Sequence, residues 1–206
     1  MSLNEHWREC FHALGLTAPP DQEFAVLSAR YTEVHRAYHT LQHIEECFHA
    51  FEGARGLAQS PGAVGIALFY HDAIYDTHAH DNEEKSAELA CQMLARMGAE
   101  PSLLQSMTDL ILVTRHAALP QTLDEQLVVD IDLSILGATQ ERFDEYERQV
   151  RQEYSWVDDA IFRSVRGRIL QEFLARRDIY STTSFRDRLE QPARENLKRS
   201  IAALAA

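Results

Sequence analysis

Ten histidines stand in this chain of 206 residues, and their placement suggests metal chemistry. Four lie at His35, His39, His43 and His49, and three more at His71, His78 and His80. His71 is followed at once by Asp72, and the pair closes an apolar run, Ala63–Tyr70. An imidazole and a carboxylate at the end of a buried segment face a desolvation cost unless they are paired or bind a cation. Taken alone, the pair reads equally as a helix cap or an arginine partner. Two further acidic residues, Asp130 and Asp132, interrupt a second apolar run in Val128-Val-Asp-Ile-Asp-Leu-Ser-Ile-Leu-Gly137. Imidazoles and carboxylates drawn from separate segments suit one divalent ion such as Mn²⁺, Fe²⁺, Co²⁺, Ni²⁺, Zn²⁺ or Mg²⁺. Such an ion lowers the pKa of bound water and neutralises an anionic leaving group.

The elements that must position these residues read as helices. Residues 4–14 place Trp7, Cys10, Phe11 and Leu14 on one face and stop at Gly15, and Pro19–Pro20 punctuates the chain beyond. Helices are expected over about 21–34, 41–54 and 61–75. In the second of these Leu41, Ile44, Phe48 and Phe51 step by three and four. The third opens at Pro61, is apolar all round, and should be central. Asp81–Asn82 reads as the N-cap of the next helix, which ends at Gly98, with Glu83 and Glu84 at its positive end. Segments 101–114, 122–136, 141–153, 158–179 and 188–203 complete the set, and 122–136 is read as helical although Leu127–Val129 is strand-like. His35, His39 and His43, spaced by four, share one face if their helix extends back that far. The expectation is an all-α single domain, 1–206, of nine or ten helices. Its metal-site core spans about 35–140, and C-terminal helices, about 141–206, pack on it.

Composition narrows the function classes. Hydrophobic residues are 45% and charged residues 25% of the chain, average for a globular protein. The charge of −12, from 20 basic and 32 acidic residues, disfavours a nucleic-acid polymer or an anionic membrane as partner. A small phosphorylated molecule stays open, provided something local supplies positive charge. No stretch approaches the roughly 20 apolar residues of a membrane span. The N-terminus lacks the pattern of a secretory signal, so a cytoplasmic location is expected. Cys10, Cys47 and Cys91 form no CxxC pair and read as buried thiols.

The order His, then His-Asp, then Asp resembles the HD superfamily of metal-dependent phosphohydrolases, and within it a bacterial group of metal-dependent HD phosphohydrolases. The matching stretches are Tyr38-His-Thr-Leu-Gln-His-Ile44, Phe69-Tyr-His-Asp-Ala-Ile-Tyr-Asp76, Asp81-Asn-Glu-Glu-Lys-Ser-Ala87, Val113-Thr-Arg-His116 and Asp130-Ile-Asp-Leu-Ser-Ile-Leu-Gly137. A C-terminal pattern around Tyr146, Arg151, Glu153, Tyr154, Gly167-Arg168 and Ala193–Leu197 adds to them. The resemblance covers nearly the whole chain. It implies an HD-type helical fold and a phosphohydrolase that activates water on one divalent metal. By position it implies His43, His71, Asp72 and Asp132 as ligands, with His39 as the alternative for the first and Asp130 for the last.

Around that set, His116 is a candidate general acid or further ligand, and Glu84 and Asp76 are candidates to orient or deprotonate water. Asp72 belongs to the catalytic group as well as to the ligands. His39, Lys85, Arg115 and Arg36 are candidates for substrate binding, the cations through phosphate oxygens. His78 and His80 read as loop residues, and His6, His12 and His49 as surface histidines. Tyr154, Arg151 and Arg168 read as a fold-stabilising network. Two other readings stand beside the enzyme: a non-catalytic or regulatory HD-fold protein that binds metal or ligand, and a di-iron oxygenase using His39 and His116. The sequence leaves monomer and homodimer equally open.

Overall fold

A computed structural model describes every residue except 18, 20 and 206, so Pro20 of the expected Pro19–Pro20 break lies outside the described residues. The chain is all-α. Its ten α-helices among the described residues are α1 (Leu3–Ala13), α2 (Asp21–Arg30), α3 (Leu41–Glu52), α4 (Pro61–Tyr70), α5 (Asn82–Arg96), α6 (Pro101–Leu112), α7 (Leu123–Asp132), α8 (Gln140–Glu153), α9 (Asp159–Ala175) and α10 (Thr183–Ala205). Short 3₁₀ turns follow at Arg55–Leu57, Val113–Arg115 and Leu133–Gly137. No described helix is long and apolar enough to cross a membrane. The chain divides into two compact units, Met1–Asp132 and Leu133–Ala206.

In the first unit α4 is the central element. Residues 62–70 are all buried, as an all-apolar helix requires. It packs against α1, α3, α5, α6 and α7. Close approach of α1 depends on two glycines. A Cβ at Gly62 would stand 2.6 Å from the Cys10 carbonyl oxygen, and one at Gly65 would collide with Cys10 Sγ. Trp7, Phe24, Phe48 and Phe69 form a ring cluster over this contact. The first helix is started by a capping box, with Ser2 Oγ accepting from the Glu5 N–H and Glu5 Oε2 accepting from the Ser2 N–H.

Several expected boundaries move. α4 stops at Tyr70 rather than near 75, because the chain turns at His71–Ala73. α2 ends at Arg30, and residues 31–40 form turns and bends, so His35 and His39 lie outside α3. α9 ends at Ala175, and α10 begins at Thr183, five residues before the expected start. Asp81 occupies the N-cap position of α5 without a capping hydrogen bond, and its carboxylate pairs with Lys85 at 2.8 Å. The strand-like Leu127–Val129 is helical and buried within α7.

The second unit is held by polar ties to backbone as well as by its core of Phe143, Leu170, Tyr180, Phe185 and Leu197. Tyr180 donates to the Leu133 carbonyl at 3.0 Å, and Asn196 Nδ2 donates to the carbonyls of Leu136 and Ala138 at 2.9 Å each. Arg151 donates to the Tyr154 and Val157 carbonyls and stacks over Phe162. Arg166, buried, bonds Tyr146 Oη and Glu147.

Candidate metal centre

Three ends of helices meet. His43 sits in the first turn of α3, on the buried face it shares with Ile44, Cys47 and Phe51. His71 and Asp72 follow α4, where the last carbonyls of the helix and the start of the turn fix their direction. Asp132 is the last residue of α7. His43 and His71 are almost fully buried, and the Asp72 and Asp132 side chains retain 18% and 16% of their exposure, so the cluster opens on its carboxylate side.

The distances are short and mutual. His43 Nε2 lies 3.1 Å from His71 Nε2, 3.4 Å from Asp132 Oδ1 and 3.6 Å from Asp72 Oδ2. His71 Nε2 lies 3.0 Å from Asp72 Oδ2 and 3.6 Å from Asp132 Oδ1. Ligand atoms about 2.1 Å from a cation stand about 3.0 Å apart at octahedral corners and about 3.4 Å apart at tetrahedral ones. The imidazole–imidazole and imidazole–carboxylate separations therefore match the spacing of ligands around a metal ion. His43, His71 and Asp132 alone bring one ligand atom each within 4.8 Å of the others, a group that could hold a metal ion.

The tautomer of His71 sharpens the point. Its Nδ1 lies 3.0 Å from the Leu68 carbonyl, one turn back along α4. A carbonyl only accepts, so the ring proton is on Nδ1 and Nε2 turns a lone pair toward the cluster. That lone pair meets the oxygen of Asp72 and the Nε2 of His43. Electron-rich atoms at such separations repel unless a positive charge lies among them. Without a metal the charge is a proton. Burial opposes a charged His71 ring, but Asp72 and Asp132 outweigh it and hold its pKa well above the ordinary imidazole value. Burial likewise opposes charge on Asp72, yet His71, His39 and His43 pull it well below the usual carboxylate range. Asp132 is depressed against its burial by hydrogen bonds from His116, His43 and His71.

The remaining candidates are placed as follows. His116 Nε2 donates to Asp132 Oδ2 at 2.9 Å, so this carboxylate faces the two imidazoles with Oδ1 and His116 with Oδ2. His116 has a left-handed backbone, φ +56°, a conformation uncommon outside glycine and asparagine. The structure brings Asp132 rather than Asp130 to the imidazoles, while Asp130 is fully buried on α7. His39 stacks on Tyr75 with centroids 4.1 Å apart, and its ring lies 6.1 Å from that of His43.

Glu84 forms an ion pair with Arg115, which also donates to the His80 carbonyl. Lys85 is half-exposed on Asp81. Asp76 is exposed and shapes its loop, with Oδ1 accepting from the His78 N–H and its own N–H donating to Asn82. Arg36 is not available to grip a phosphate. Its side chain is fully buried, and its guanidinium is occupied by Glu33 and by backbone carbonyls.

His6, expected at the surface, is buried and stacks on Phe48 at 4.6 Å. Cys47 lies beside His43, 3.7 Å from Nε2, and burial holds its thiol protonated, with the nearby carboxylates adding to the effect. Sequence reasoning did not single out Leu68 or Tyr75. The three-residue step from Leu68 to His71 was the available signal for the first, since it is a helical spacing. No family model matches the chain, and neither a curated protein nor a solved structure was found to be similar to it.

Proposed function

We propose that the chain is a metal-dependent phosphohydrolase of HD type acting on a small phosphorylated substrate, such as a nucleotide or another phosphomonoester. The observation that carries the reading is the meeting of two imidazole nitrogens and two carboxylate oxygens at 3.0–3.6 Å, with the His71 ring proton committed to Leu68. His43, His71, Asp72 and Asp132 hold one divalent cation, which when bound supplies a lowered pKa for water and charge neutralisation at phosphate. The order of the same four residues along the chain, which resembles the HD pattern, supports the assignment.

The protein's own groups do the rest. Leu68 and His116 orient the ligands, the first through the His71 tautomer and the second through Asp132 Oδ2. His116, hydrogen-bonded to Asp132 Oδ2 beside the site, serves as general acid to a leaving oxygen when its ring carries both protons. His39, stacked on Tyr75, stands at the rim for contact with a phosphate oxygen. Arg115 serves the same purpose on release from Glu84.

The test is phosphate or pyrophosphate release from a panel of nucleotides and phosphomonoesters with Mn²⁺, Co²⁺, Ni²⁺ or Mg²⁺. Turnover should need the metal and should vanish in Asp132→Ala. Metal uptake with no turnover on the panel would favour a non-catalytic metal-binding protein, and absence of metal uptake would overturn the reading.

A further inference from the structure

The guanidinium of Arg36 sits behind the metal centre rather than in it. Nε donates to Glu33 Oε2 at 3.0 Å. Nη1 donates to two carbonyls, His39 at 3.2 Å and Asp72 at 2.7 Å, and Nη2 donates to the Ala73 carbonyl at 3.1 Å. The charge lies over the Tyr31 ring at 5.1 Å and the Tyr75 ring at 5.4 Å. His39 is in turn stacked on Tyr75.

Each of these contacts has a physical consequence. The carbonyls of Asp72 and Ala73 lie just past the C-terminal end of α4, where backbone acceptors have no partner within the helix and a cation is favoured by the dipole. Arg36 supplies both the donors and the charge. A single nitrogen, Nη1, ties the backbone of Asp72, a ligand, to that of His39, a rim residue. Aromatic faces on two sides leave the planar group little freedom. A lysine carries the charge but not the fork of donors needed to reach three carbonyls and a carboxylate.

We propose that Arg36 is a positioning residue of the metal centre, setting the direction of the Asp72 carboxylate and its register with His39. This rests on the metal reading above and adds to it the group that aims the ligand. Arg36→Lys should therefore fold, yet bind metal more weakly and with altered coordination.

Co²⁺ titration followed by its d–d absorption reads both quantities. Wild type should give one saturable set of bands. Arg36→Lys should require about tenfold more Co²⁺, the scale of loss when a group orienting a ligand is removed, and its bands should shift in position or intensity. Phe143→Leu, a core change in the second unit, should lower the melting temperature and leave the Co²⁺ affinity and bands as in wild type. An affinity and spectrum in Arg36→Lys equal to wild type overturn the proposal, because a purely structural arginine would change stability alone. If Arg36→Lys does not fold, Glu33→Gln decides: it loosens the Nε anchor from a half-exposed position, and unchanged Co²⁺ binding in it overturns the proposal equally. Wild-type protein that takes up no Co²⁺ removes the metal reading, and this one with it, whereas uptake without a difference between variants removes only this one.

Discussion

At the scale of single residues, the cluster has to carry positive charge, and protons compete with a metal for that place. His71 is held charged above its ordinary pKa when no metal is bound, against its own burial, by Asp72 and Asp132. Its contribution to stability is complete below the unfolded imidazole value of about 6.5 and is lost as pH rises through the raised folded value. Asp72 and Asp132 are depressed, so their contribution is present above about pH 4 and is lost as pH falls through their folded values. The metal-free protein should therefore be most stable between about pH 4 and 6.5. A bound metal displaces the His71 proton, so its affinity should rise with pH. Scanning calorimetry with and without Mn²⁺ should show a gap in melting temperature that widens from pH 6 to pH 8. A gap that stays constant or narrows would show that His71 is not a ligand. Asp132→Asn is a second probe. It keeps the size of the side chain and one acceptor but removes the charge, and it should weaken metal binding by at least tenfold, measurable by isothermal titration.

At the scale of elements, the site depends on where helices stop. α4 ends one residue before His71, α7 ends on Asp132, and α3 begins two residues before His43. A ligand at a helix end has its direction set by the terminal turn and its backbone neighbours. The α1–α4 contact fixes the height of α4 and with it the His71–Asp72 pair. Gly65→Ala places a methyl group against Cys10. Overpacking of this kind costs about 1–3 kcal/mol, and urea denaturation should register it as a lower midpoint. In the second unit Asp158 caps α9 by accepting from the Ala160 and Ile161 N–H groups. Asp158→Ala should cost about 1 kcal/mol and leave metal affinity unchanged, since Asp158 belongs to the other compact unit.

At the scale of the whole molecule, a ligand that binds only the folded state stabilises it by mass action. A divalent metal at a hundred times its dissociation constant should add about 2.7 kcal/mol. The same addition to Asp132→Ala should add nothing beyond the effect of ionic strength. The charge of −12 acts at this scale too. A cation in the first unit offsets part of the local anionic field, so an anionic substrate should bind the metal-loaded protein better than the metal-free one.

The sequence by itself determined the helical class and the order along the chain of the candidate ligands. Helical spacing of apolar residues, Pro61 at a helix start and an all-apolar α4 are local signals, and periodicity reads them directly. The pairing of His71 with Asp72 was legible for the same reason, being a charged interruption of a buried run. Tertiary structure alone decided the rest. It brought Asp132, at the end of α7, to within 3.4 Å of His43 and 3.6 Å of His71. It buried Arg36 against Glu33 and the carbonyls of His39, Asp72 and Ala73, and it paired Glu84 with Arg115. It buried His6 against Phe48. Each of these depends on which side chains from distant segments share a volume, and spacing along one segment carries no information about its neighbours in space.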